Sequence, residues 1–157
     1  MAVAMGIGRF VYTPILPGMM AGLDMSAANA GLIASANYLG YLVGAILAAG
    51  GWGAGRERAV MLVSLLASGL LCLAMALTGS LAVFLSIRFA AGVASAFVMV
   101  FISTIVFSHL AAANAFDKQW LHFGGVGLGI SVSSLLIGAL MLAHGGWRSG
   151  WIGAAAL

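Results

Sequence analysis

Residues 27–49 read AANAGLIASANYLGYLVGAILAA, an apolar run without a charged side chain. A helix needs about 20 mostly apolar residues to cross the ~30 Å hydrocarbon core of a bilayer, so this run is long enough to span it. Similar apolar runs lie on both sides of it along the chain. The sequence therefore predicts an all-α, polytopic membrane helix bundle with five spans and the start of a sixth, at residues 2–22, 27–49, 59–78, 81–108, 123–143 and 147–157.

The composition excludes the main classes of soluble protein. Of the 157 residues, 64% are hydrophobic and 6% are charged, whereas an ordinary soluble domain has about 25% charged residues. A soluble enzyme, a nucleic-acid-binding module and a disordered tail are therefore excluded, and the lipid bilayer is the expected partner. The single cysteine, Cys72, allows neither an internal disulfide nor a cysteine metal cluster. We expect no metal and no cofactor.

The two ends of the sequence are less complete than its middle. Residues 2–22 contain Arg9, Pro14 and Pro17, which predicts a broken or shortened first span. Residues 147–157 begin a sixth helix but stop after too few residues to cross a membrane. We therefore expect a truncated chain that forms only part of a larger bundle.

Basic residues are distributed unevenly between the two sets of connecting loops. The loops after the second and fourth spans carry Arg56, Arg58 and Lys118, whereas the opposite side carries only Arg148. Cytoplasmic loops are enriched in Lys and Arg. This bias predicts a cytoplasmic N-terminus and cytoplasmic loops after the second and fourth spans.

Two arginines lie inside apolar runs, Arg9 in the first span and Arg88 in the fourth. An arginine near the centre of a bilayer costs about 2.5–3.5 kcal/mol on insertion scales and usually faces a cavity or a partner. The alternative is that each guanidinium reaches the headgroups along its flexible side chain. None of the predicted spans contains an Asp or Glu, so a partner must come from a loop end, from further sequence or from the substrate.

The first span contains the run GIGRFVYTPILP at residues 6–17, where Pro14 and Pro17 interrupt helical hydrogen bonding. Broken helices of this kind recur at the binding sites of transporters. The run is also compatible with a kinked helix that only packs against its neighbours. Tyr12 in this run is a candidate for a cavity-facing side chain.

The second span combines polar side chains with small ones. Asn37 and Tyr41 are four residues apart and share one helical face, from which they bind either a substrate or another helix. Gly40 and Gly44 form a GxxxG pair, which lets a neighbouring backbone approach closely. The same helix-contact role is expected of Gly92, Gly125 and Gly129.

His122 lies directly before the fifth predicted span. It precedes a glycine-rich run that does not match a phosphate-binding pattern. Histidine titrates near physiological pH, so His122 is a candidate for proton coupling. The alternative is a histidine that simply lies at the membrane interface. His109 and His144 also lie near the ends of spans.

Several of these stretches together resemble the YbfB-type branch of the major facilitator superfamily. The resemblance rests on GIGRFVYTPILP at residues 6–17, GLIASANYLGYLVGA at 31–45 and HFGGVGLGISVSS at 122–134. The segment RFAAGVASAF at 88–97 also resembles the fourth-helix motif of the wider superfamily, in which such an arginine takes part in proton-linked transport.

The resemblance implies a transporter of two six-helix halves, each built from 3+3 inverted repeats, with the substrate near the midplane. This chain would be most of the N-terminal half, and a missing C-terminal half would complete the cavity. Spans one and four would be repeat equivalents that line the pathway. The pairs Arg9-Phe10 and Arg88-Phe89 fall on these two spans.

Two departures from the superfamily patterns affect these expectations. The loop GAGRER resembles the gating loop, in which Arg56, Glu57 and Arg58 would act, but it lacks the usual Asp ahead of its basic residues. Glu57 is the candidate substitute for that Asp. In the fifth span Ile130 follows Gly129 where the antiporter signature has proline, which argues against drug–proton antiport.

The resulting prediction is a fragment of a secondary active transporter that moves a small solute by alternating access in the inner cell membrane. The side chains expected at its cavity are Arg9, Tyr12, Asn37, Tyr41 and Arg88. The two arginines favour a small organic anion, and Arg88 and His122 are the candidates for proton coupling. The alternatives are a non-transporting membrane subunit or scaffold, or a non-functional truncated remnant. Catalysis is not expected, because nucleophile, metal-cluster and paired-carboxylate patterns are not found.

Overall fold

The computed structural model describes residues 1–143 and 145–157, and this part of the chain is almost entirely helical. It begins with a π-helix, Ala2–Arg9, and a short 3-10 turn, Phe116–Lys118, precedes the fifth helix. The regular helices are α1 Tyr12–Leu23, α2 Ala27–Ala49, α3 Glu57–Ala76, α4 Leu81–Ala112, α5 Gln119–Leu142 and α6 Trp147–Ala156. The described residues contain no strand, so the predicted all-α fold class is confirmed.

The number of helices that could cross a membrane is smaller than predicted. Four are long and apolar enough, namely α2, α3, α4 and the segment Phe116–Leu142 that contains α5, whereas the sequence predicted five spans. The first predicted span is divided into the π-helix and α1, and neither piece is long enough alone. The longest helix, α4, has 32 residues and measures about 48 Å at 1.5 Å per residue, so it must tilt or project beyond the bilayer core.

The interruption in the first helix has a specific cause in its hydrogen bonding. Pro14 has no N–H to donate to the carbonyl of Phe10, which is its helical acceptor four residues earlier. The N–H of Thr13 donates to the Phe10 carbonyl instead, at 3.1 Å. The carbonyl of Arg9 therefore loses Thr13, the donor that a continuous α-helix would have supplied.

The helices α2 and α4 approach each other at backbone distance through three glycines. A Cβ on Gly40 would overlap the carbonyl of Phe89, and a Cβ on Gly92 would overlap the carbonyl of Asn37. A Cβ on Gly44 would lie 2.8 Å from atoms of α4. Any larger residue at these positions would force the two helices apart.

Glycines also bring α5 and the opening π-helix to backbone distance, as they do for α2 and α4. A Cβ on Gly129 would overlap the carbonyl of Ala2, and a Cβ on Gly6 would lie 2.7 Å from the carbonyl oxygen of Val126. At Gly125 an added Cβ would meet only ordinary contacts, the nearest at 3.5 Å. The helices α3 and α6 also pack against each other. When the chain is divided into a first set (the broken first helix, α2 and α3) and a second set (α4, α5 and α6), the α2–α4 contact corresponds to the contact between α5 and the π-helix.

The core of the bundle forms where the broken first helix, α3 and α6 meet, and α2, α4 and α5 each add one buried side chain to it. Its largest fully buried side chains include Trp151, Phe84, Met19, Ile15 and Ile33. The indole N–H of Trp151 donates to the sulfur of Met19 at 3.3 Å, so α6 is joined to α1 inside the core. This core supports one side of the polar cavity described next.

Candidate functional site

A small cavity of about 70 Å³ lies between the broken first helix, α2 and α4 and is open on the side of Tyr38. This volume is enough for a few water-sized groups. The residues that line the cavity are Arg9, Phe10, Tyr12, Thr13, Ala34, Asn37, Tyr38 and Arg88. The structure thus brings four of the five side chains predicted for a cavity to one place, and the fifth, Tyr41, contacts Arg9 from beside it.

Arg88 extends into the interior of the bundle rather than towards its ends. Its side chain is 3% exposed, and its Nη2 donates to the carbonyl of Arg9 at 3.2 Å. The guanidinium also lies over the rings of Tyr12 at 5.1 Å and Trp151 at 5.8 Å. Its Nε is buried without a hydrogen-bond acceptor, so this cation has donors that the described residues do not satisfy.

Arg9 is held by aromatic rings instead of by an anionic partner. Its guanidinium carbon lies 4.0 Å from the ring centre of Tyr41, 5.3 Å from that of Tyr38 and 5.7 Å from that of Phe10. A cation over an aromatic face is stabilised by about 0.5–2 kcal/mol, depending on its desolvation. The Nε of Arg9, like that of Arg88, is buried and has no acceptor.

Asn37 fixes the backbone of α4 at the cavity. Its side chain is 3% exposed, and its Nδ2 donates to the carbonyl of Arg88 at 3.0 Å. The sequence left open whether Asn37 binds a substrate or another helix. In this structure its amide bonds to a neighbouring helix while the side chain still lines the cavity.

The electrostatic character of the cavity is positive. Two guanidinium groups are present among its lining residues, and none of these residues is acidic. The three acidic residues of the chain are Asp24, Glu57 and Asp117, which lie at helix ends or in a connection. Because the two cations repel each other and lack an acidic partner among these residues, the arrangement is suited to receive an anion.

His122 lies at a different place from Arg88. Its Nε2 is 3.1 Å from the hydroxyl oxygen of Ser103, and its ring lies 5.6 Å from that of Phe107. Ser103 and Arg88 are both on α4, and fifteen residues correspond to about 22 Å along a helix. The structure does not bring the two candidates for proton coupling together. His144 lies outside the described residues.

The three predicted gating residues lie where the loop between α2 and α3 enters α3, with Arg56 at the end of the loop and Glu57 and Arg58 in the first turn of the helix. Glu57 begins α3 and accepts a hydrogen bond from the N–H of Gly55 at 2.9 Å, whereas Arg56 and Arg58 are exposed. The same loop contacts α4, because the ring of Trp52 packs edge-on against Phe101 at 5.9 Å. Glu57 thus closes the turn that precedes α3.

Sequence reasoning missed several side chains around the two arginines. Tyr38 and Thr13 line the cavity, and for each of them the sequence position offered a reason to include it among the candidates. Thr13 is four residues after Arg9, and Tyr38 is next to Asn37. For Trp151 the sequence offered no such reason, because this residue belongs to α6, which no motif linked to Arg88.

These features define a polytopic helical membrane protein with a cationic internal site. A family model described as "Uncharacterised MFS-type transporter YbfB" matches residues 1–157. The chain therefore belongs to this transporter family of the major facilitator superfamily, and the resemblance noted from its motifs is confirmed. No curated protein matches the chain, and no solved structure does.

Proposed function

We propose that the chain supplies one half of the substrate pathway of a secondary active transporter, which works by alternating access in the inner cell membrane. Two observations support the proposal: the membership in a transporter family and the broken first helix, whose irregular backbone borders a polar cavity. Non-helical backbone at membrane depth is tolerated where it lines a cavity or is buried in protein. A second six-helix half would close the other side of the pathway.

The proposed substrate is a small organic anion. The observation that carries this proposal is the presence of both Arg9 and Arg88 at one cavity without a carboxylate among its lining residues. Buried donors without acceptors are costly, and more so when they are charged. The oxygens of a carboxylate would supply acceptors, and the size of the cavity suits the carboxylate group better than a large solute.

The test is uptake into proteoliposomes by the transporter that contains both halves, with acetate and benzoate as probes. Arg9→Ala and Arg88→Ala should each reduce uptake at least about tenfold, because a hydrogen bond to a charged group contributes about 1.5–3 kcal/mol. Lys118→Ala removes the same charge from an exposed position and should leave uptake unchanged.

Two results would contradict the proposal. One is full uptake by both arginine variants at normal expression. The other is saturable uptake of organic cations by the unmodified transporter, together with no uptake of acetate or benzoate. His122 is not included in the proposal, since its contacts lie far along α4 from Arg88.

A further inference from the structure

We infer that Pro14 is a positioning residue of the site: because it lacks an N–H, it leaves the carbonyl of Arg9 available to the guanidinium of Arg88. The inference rests on the proposed function only where anion binding is concerned. The hydrogen bonds that it describes belong to the protein without a substrate, and they are tested separately below.

The acceptor of Arg88 is a carbonyl that lacks its helical donor. In a continuous helix the N–H of Thr13 would donate to the carbonyl of Arg9. Pro14 cannot supply the Phe10 carbonyl, and Thr13 donates to Phe10 instead at 3.1 Å. The Arg9 carbonyl then accepts from Nη2 of Arg88 at 3.2 Å.

The side chain of Arg88 depends on this acceptor for its orientation. At its backbone Arg88 is held by Asn37, which donates to the Arg88 carbonyl at 3.0 Å. At its guanidinium the hydrogen-bond acceptor among the described residues is the Arg9 carbonyl, and the other neighbours are the ring faces of Tyr12 and Trp151. Weakening of that hydrogen bond would leave the orientation of the guanidinium mainly to the aromatic faces.

Pro14→Ala restores the missing N–H and should reverse this arrangement. Alanine at this position can donate to Phe10, which releases Thr13 to donate to Arg9 in the ordinary helical manner. The variant should fold, because alanine is far more favourable than proline inside a helix. The Arg9 carbonyl would then be shared between the N–H of Thr13 and the guanidinium, so the hydrogen bond to Arg88 should weaken while the charge and the surroundings of Arg88 remain.

Two controls separate the N–H from the other properties of proline. Pro17→Ala changes the second proline of the same helix, whose missing N–H would serve the carbonyl of Thr13 rather than that of Arg9. Lactic acid introduced at position 14 replaces the N–H by an ester oxygen without the proline ring. If the inference is right, the lactic acid variant behaves like the unmodified protein and not like Pro14→Ala.

The first measurement needs no ligand. The chain is labelled with ¹⁵N-arginine in lipid nanodiscs, its five arginines are resolved by NMR, and Arg88→Lys identifies the signals of Arg88. We expect the Nη protons of Arg88 to be protected from solvent exchange in the unmodified, Pro17→Ala and lactic acid proteins, and to exchange faster in Pro14→Ala. Equal exchange in Pro14→Ala and the unmodified protein would overturn the inference.

The second measurement is the affinity for acetate and benzoate, obtained from the rise in melting temperature against a chloride control at constant ionic strength. Pro14→Ala should weaken the apparent affinity about tenfold, the typical effect of one charge-assisted hydrogen bond. If the unmodified protein binds neither probe, the proposed function fails while the exchange experiment still decides the role of Pro14. If it binds both and Pro14→Ala binds equally well, the positioning role fails.

Discussion

The guanidinium of Arg88 is removed from water and has no acidic partner among the residues that line its cavity. Such desolvation costs several kcal/mol for one ion. A carbonyl and two aromatic faces offset only part of this cost, and Arg9 in the same cavity adds repulsion. Ionisable groups that are retained at membrane depth despite such a cost usually serve a function.

Tyr41 gives a prediction at the scale of one side chain. Its ring centre is 4.0 Å from the Arg9 guanidinium, and a cation–π contact contributes about 0.5–2 kcal/mol. Tyr41→Ala should release Arg9 and weaken benzoate binding roughly twofold to thirtyfold, whereas Tyr41→Phe keeps the ring and should bind nearly as the unmodified protein does. Titration of the melting temperature with benzoate measures both. Equal losses in the two variants would show that the hydroxyl matters and not the ring face.

At the scale of helices, two glycine contacts determine how closely the elements approach. Gly92 on α4 lies against α2, and Gly6 on the π-helix lies against α5. Arg88 precedes Gly92 by four positions, whereas Arg9 follows Gly6 by three. The two Arg-Phe pairs therefore lie on opposite sides of these two glycines along the chain.

The α2–α4 contact predicts a strong position dependence for glycine substitution. Gly40→Ala should lower the free energy of unfolding by about 1–3 kcal/mol, because its Cβ overlaps the Phe89 carbonyl. Gly31→Ala on the same helix has no neighbour within 4 Å of the added Cβ, so it should be neutral or slightly stabilising. Thermal melting in detergent compares them. A destabilisation of the same size at Gly31 would assign the effect to something other than this contact.

Much of the helical organisation could be predicted from hydropathy, because long apolar runs have few alternatives in lipid. The division of the first span was expected from its prolines, but the place of the break was not. The place of the break depends on which carbonyl accepts from the N–H of Thr13, and hydropathy does not determine that acceptor. The candidate site was found through its charges in Arg9 and Arg88, whereas Trp151 required the tertiary contact between α6 and α1.

At the scale of the whole molecule, the loops predict an orientation in the membrane. In intact cells a membrane-impermeant maleimide should label Gly79→Cys, in the connection between α3 and α4, and should label Ala54→Cys only after permeabilisation. The native Cys72 is 3% exposed and should stay unlabelled, so it serves as the internal control. Labelling of Ala54→Cys alone in intact cells would reverse the assigned orientation.

The face of α2 that borders the cavity is partly exposed at the surface of the bundle. Tyr38 contacts Arg9 with its ring and is still 59% exposed, and Leu39 and Leu42 of the same helix are exposed as well. This face fits the proposed second half, which would cover the open side of Arg9 and complete the path for a solute.

The anchors of Arg88 have a consequence for substitution at position 9. Both of its direct hydrogen bonds involve carbonyls, its own and that of residue 9, and a carbonyl is present whatever amino acid occupies the position. A substitution at position 9 therefore removes the cation there and keeps the carbonyl that accepts from Arg88.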